Sequence, residues 1–80
     1  MSDSELYTAS LGPVLRAQRK EKGLSQEELA HRVGLDRTYI SLLERGLRQP
    51  TLGTIVKLST ALEIQPEDFV AELGRPYKVD

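Results

Sequence analysis

Residues 24–46, LSQEELAHRVGLDRTYISLLERG, constrain the fold of this chain more than any other stretch. Ser25 stands three positions before Glu28, the spacing of a capping box. There a serine oxygen takes a backbone N–H and the glutamate reaches back to the cap. Leu24 and Leu29 occupy the positions of a hydrophobic staple. A helix is therefore predicted over about residues 26–32, broken by Gly34, which can take a left-handed conformation. Asp36 then caps a second helix over about residues 37–45. Ala30 is small in the middle of the first helix, where a crossing helix must come close. Ile40 and Leu43 point back toward it. Two short helices joined by a three- to four-residue turn containing glycine read as a helix-turn-helix.

The flanking sequence extends the helical pattern to five helices. The first is predicted to start near Leu11, with Pro13 in its first turn, and to end at Gly23; Leu11, Val14, Leu15 and Gln18 share one face. RGLRQPT is a loop, and Thr51 caps a fourth helix with an apolar stripe of Leu52, Ile55, Val56, Ser59 and Leu62. Pro66 opens a fifth, with Glu67 and Asp68 at its positive end and Phe69, Val70 and Leu73 on its apolar side; Gln65 is a poor cap. The predicted architecture is all-α. Residues 1–10 are read as an N-terminal arm, 11–73 as the folded domain and 74–80 as a tail. Leu, Ile, Val and Phe make 22 of the 80 residues, enough for one small core with little margin. There is no internal repeat.

Geometry sorts the third helix into two faces. At about 100° per residue, Asp36, Tyr39, Ile40 and Leu43 fall on one side, and Arg37, Thr38, Ser41, Leu42 and Arg45 on the other. In a helix-turn-helix the outer arc is a reading surface. Arg37 can pair bidentately with guanine, Thr38 and Ser41 permit close approach, and Leu42 can meet a thymine methyl. The alternatives are a solvated face, and for Leu42 a place over the core edge. Tyr39 borders both faces, which leaves core packing or a DNA contact open. Arg45, Arg48 and Gln49 follow as expected phosphate contacts, with Thr51 and Thr54 as further ones; Arg48 can also be read as a solvated loop charge. The net charge of −1 hides an uneven distribution. Residues 15–48 carry eight Lys and Arg against five Asp and Glu, and the remainder three against seven.

LSQEELAHRVGLDRTYISLLERG resembles the DNA-binding core of the lambda-repressor/Cro-type helix-turn-helix regulators. The resemblance rests on Gln26, Leu29, Ala30, Val33, Gly34, Leu35, Ile40, Leu43 and Glu44. It implies a compact five-helix fold and a sequence-specific transcriptional regulator of double-stranded DNA. LDRTYISLLERG is most similar to the controller proteins of restriction–modification systems, which are short dimeric regulators. The resemblance further implies a phosphate contact for Gln26 and an ion pair between Glu44 and Arg19. The family often reads DNA with Asn or Gln; this chain has no Asn and presents Arg and Thr, so the family's operators do not carry over.

A homodimer is expected on a pseudo-palindromic site. Ile64, Phe69 and Val70 are expected at its two-fold interface, the alternative being that they only close the monomer core. Nothing suggests catalysis: there is no nucleophile–base pair and no glycine-rich phosphate loop, so no enzyme activity, cofactor or small-molecule ligand is expected. His31 stands without cysteines or metal-ligand spacing and reads as a surface residue. The absence of cysteine suits a reducing compartment, and no apolar run exceeds three residues, which fits a cytoplasmic protein with neither membrane span nor signal peptide. Two rival readings are an antitoxin of the same fold whose partner is a toxin protein, and a helical protein-interaction module with no role on DNA.

Overall fold

The computed structural model describes residues 2–74. Its first helix corrects the sequence reading. α1 spans Asp3–Glu21, so the segment expected to be an arm is helical, and Pro13 lies inside the helix instead of in its first turn. A local cap starts the helix, and tertiary packing carries it through the proline. Ser2 caps the helix by accepting the Glu5 N–H at 3.3 Å, and Asp3 and Glu5 sit at the positive end of the helix dipole. Tyr7 and Ser10 continue the buried stripe of Leu11, Val14 and Leu15 toward the N-terminus, so tertiary packing offsets the N–H that Pro13 lacks. Apart from Gly74, the expected tail lies outside the described residues.

The remaining helices follow the predicted boundaries closely: α2 Gln26–Val33, α3 Arg37–Glu44, α4 Leu52–Ala61 and α5 Pro66–Leu73. Ser25, Asp36 and Thr51 cap α2, α3 and α4 with their side chains, while Gln65 makes no side-chain cap to α5. Among the described residues there are five helices and no strand, and none of the helices is long and apolar enough to cross a membrane.

Four helix ends share one device. Just past each helix end an N–H bonds a carbonyl five residues back: Leu24 to Arg19, Leu35 to Ala30, Leu47 to Leu42 and Ile64 to Ser59, at 2.9–3.1 Å. The residue before each is left-handed, and it is glycine at 23, 34 and 46 but Glu63 at the fourth. Each turn redirects the chain sharply. That allows α1 to pack on α3 and α5, α2 on α3 and α4, and α4 on α5.

All five helices contribute to one core, from Leu11, Val14 and Leu15 through Leu29, Ile40 and Leu43 to Leu58, Leu62, Phe69 and Leu73. Two expectations change here. α4 buries Leu58, Ser59 and Leu62 with Ile55 at the margin, whereas Leu52 and Val56 are 74% and 41% exposed. Positions 52 and 56 and positions 55, 58 and 62 both satisfy helical periodicity; packing against α2 and α5 selects the second set. Phe69 is 0% exposed, at the centre of the core with Leu73 one turn later, and so cannot line a dimer interface. Ile64 and Val70 are half-buried.

Candidate nucleic-acid interface

The interface begins with the cap of α2. Ser25 Oγ accepts the Glu28 N–H at 2.9 Å, and Glu28 Oε1 accepts the Ser25 N–H at 2.9 Å. Hydrogen bonds from the Ser25 backbone and side chain hold the Glu28 carboxyl below its ordinary value of 4.5. Gly34 turns the chain, and Asp36 Oδ1 accepts the Thr38 N–H at 2.7 Å, which starts α3. Leu29 and Ala30 of α2 meet Ile40 and Leu43 of α3, all within the core. This packing fixes the rotation of α3 about its axis.

With that rotation set, Arg37, Thr38 and Arg45 are exposed, and Ser41 and Leu42 are half-buried on the same arc. Among the described residues, neither the Arg37 nor the Arg45 side chain engages an acid or a carbonyl. Tyr39 packs partly against the core, so it supports α3 more than it extends from it. Arg48 is exposed and donates to the Leu47 carbonyl at 3.3 Å. Gln49 is exposed at the rim of an apolar cleft lined by Tyr7, Leu11, Pro50, Ile55 and Leu73. Thr51 and Thr54 face each other: their hydroxyls are 3.0 Å apart and Thr51 Oγ1 caps the Thr54 N–H. Both hydroxyls are therefore already engaged, although each retains hydrogen-bonding capacity.

Arg19 and Glu44 come together across 25 positions of sequence. Arg19 Nε donates to Glu44 Oε2 at 2.6 Å and Nη2 to Oε1 at 3.0 Å, a bidentate pair with side chains 9% and 4% exposed. Arg19 Nη1 also donates to the Leu24 carbonyl at 2.7 Å, in the turn before α2. The hydrogen bond to Glu44 raises the guanidinium pKa above its ordinary value, outweighing desolvation, which acts the other way. One arginine thus ties the end of α1, the start of α2 and the end of α3.

Two features escaped the sequence reading. Gln26, expected from the resemblance as a phosphate contact, also donates Nε2–H to Glu44 Oε1 at 3.1 Å. No local signal marks this contact. Gly12 lies where α1 crosses the end of α3; a Cβ there would collide with the Glu44 carbonyl oxygen and stand 3.1 Å from that of Leu43. A glycine inside a helical run was the available signal, since it weakens the helix by about 1 kcal/mol unless packing needs it. His31 is exposed, as a surface residue would be.

Comparison with known proteins agrees with this geometry. Residues 15–69 match the helix-turn-helix family model. The control protein C.BamHI of Bacillus amyloliquefaciens is 44% identical over 57 residues, covering 71% of this chain and 70% of the relative. The crystal structure of the restriction–modification controller protein C.AhdI from Aeromonas hydrophila is 47% identical; it covers 82% of this chain and 97% of its own, with a TM-score of 0.73. The controller protein C.Esp1396I, solved as a tetramer in complex with its natural 35 base-pair operator, is 36% identical. It covers 84% of this chain and 88% of its own, with a TM-score of 0.77. With its motif, its five helices and most of its length matched, this chain belongs to the helix-turn-helix family, in the company of the restriction–modification controller proteins.

Proposed function

We propose that this chain is a cytoplasmic transcriptional regulator that binds operator DNA sequence-specifically as a homodimer, with no catalytic activity. The observation that carries the proposal is the outer arc of α3. Arg37 and Thr38 are exposed, and Arg37 is free of internal partners, on a helix whose other side is locked by Asp36, Ile40 and Leu43. Rigid presentation of a short arginine–hydroxyl surface suits the major groove. There Arg37 pairs with guanine, Thr38 and Ser41 approach base edges, and Leu42 meets a thymine methyl. Tyr39 contributes at the border of this surface. Gln26, Arg45 and Arg48 take phosphates, with Gln49, Thr51 and Thr54 as secondary contacts. The excess of cations in residues 15–48 favours this face over the acidic C-terminal part.

Dimerisation extends recognition beyond the few base pairs one helix can read, with the two recognition helices about 34 Å apart. The exposed apolar pair Leu52 and Val56, one turn apart on α4, supports a two-fold surface there, and the half-buried Ile64 and Val70 offer further apolar area. The narrower role is that of a controller protein of a restriction–modification system. It is supported by the similarity to C.BamHI and C.AhdI and by the operator complex of C.Esp1396I.

A gel shift tests the proposal, using the DNA upstream of the chain's own gene and a scrambled duplex of equal length across a salt series. The expected result is selective binding to the first that weakens steeply with salt. Equal affinity for both duplexes at every salt concentration would reject sequence-specific regulation.

A further inference from the structure

Glu44 is the last residue of α3, on the helix that carries the outward arginine face. A carboxylate there opposes a polyanion, and Arg19 cancels its charge through the bidentate pair. That pair leaves Oε1 with further acceptor capacity, which the Gln26 amide uses at 3.1 Å. Gln26 is the first residue of α2, so the bond links the N-terminus of one helix to the end of the next.

A carboxylate accepts and cannot donate. The Gln26 amide must therefore turn its nitrogen toward Glu44, because the flipped amide would set oxygen against oxygen. One N–H is committed to Glu44, and the second N–H of the same nitrogen remains as a fixed donor. We propose that Glu44 is a positioning residue for DNA-backbone recognition. It locks the Gln26 amide so that a donor N–H is presented to a phosphate, and it couples that contact to the seating of α3. The inference rests on the DNA-binding reading above. Its advantage is preorganisation: the rotamer freedom that a loose glutamine gives up on contact is already lost when the chain folds. Arg19 serves the same end by neutralising the carboxylate and by holding the Leu24 carbonyl, directly before the α2 cap.

Side-chain amide spectra of the wild-type protein without DNA test the geometry first. One of the two Gln26 amide protons should be shifted and protected from exchange relative to those of the exposed Gln49. Gln26 amide protons that match those of Gln49 in shift and exchange as fast would overturn the proposal. Binding to an operator duplex and its salt dependence test the function, at a temperature where circular dichroism shows each variant folded. Gln26→Ala should weaken binding about tenfold and leave the salt slope nearly unchanged, because a neutral amide displaces no counterion. Glu44→Gln should produce a loss of the same size. The double variant should be no weaker than Gln26→Ala alone, since both remove one contact. Operator affinity unchanged in Glu44→Gln, or losses that add in full, would reduce Glu44 to a structural role. Absence of any salt-dependent binding by the wild type would instead reject the DNA reading itself.

Discussion

Gly12→Ala is expected to destabilise this protein although alanine is the better helix former. The added Cβ would collide with the Glu44 carbonyl oxygen and lie 3.0 Å from the Glu44 carbonyl carbon and 3.1 Å from the Leu43 oxygen. All three atoms are backbone, so no side-chain rotation relieves the contact, and α1 must retreat from α3 by roughly 1 Å to reach ordinary separation. Overpacking of this kind costs about 1–3 kcal/mol, and helix propensity returns about 1 kcal/mol. The same retreat stretches the Arg19–Glu44 bonds, now at 2.6 and 3.0 Å, which moves the total toward the upper end. A net loss of about 2 kcal/mol corresponds to a melting temperature lower by about 8–16 °C for a domain of this size. Thermal circular dichroism measures it, with Gly53→Ala as the control. A Cβ at Gly53 meets only Thr51 Oγ1 at 3.8 Å, so that variant should hold or gain up to about 1 kcal/mol. If Gly12→Ala melted at or above the wild-type temperature, the close approach of α1 to α3 would be refuted.

Three further outcomes are expected. Arg37→Ala should weaken operator binding by about 1–3 kcal/mol and leave nonspecific binding nearly intact, measured by competition gel shifts; a uniform loss on all sequences would make Arg37 a phosphate contact. Val56→Asp should convert a dimer to a folded monomer in sedimentation equilibrium, because Val56 is exposed in the single chain, whereas Phe69→Asp should unfold it. Glu28 has a depressed carboxyl pKa, so its cap contributes stability above the ordinary value of 4.5 and loses it as pH falls below that value. Glu28→Gln should therefore melt lower than wild type at neutral pH, with the gap closing in acid. A gap independent of pH would show that the charged cap contributes nothing.

The division between what was legible in the sequence and what was not follows the range of the interactions. The capping box of Ser25 and Glu28, the Asp36 cap and the turn at Gly34 use bonds between residues two to five positions apart, so residue type and spacing suffice to read them. The two faces of α3 followed from helical geometry, which sets Arg37 and Thr38 opposite Ile40 and Leu43 once the helix exists. The pairing of Arg19 with Glu44 came from family resemblance, because nothing local relates two residues 25 positions apart. Tertiary structure alone decided the rest. Burial of Tyr7 and Ser10 carried α1 back to Asp3 through a proline that local propensity reads as a helix start. Packing against α2 and α5 chose which of two equally periodic stripes α4 buries, leaving Leu52 and Val56 outside. It also drew Phe69 into the core, away from any interface. The seat of Gly12 against the end of α3 and the bond from Gln26 to Glu44 depend on where separate helices cross. A crossing is set by the shape of the whole core, and periodicity within one segment carries no information about the segment that will meet it.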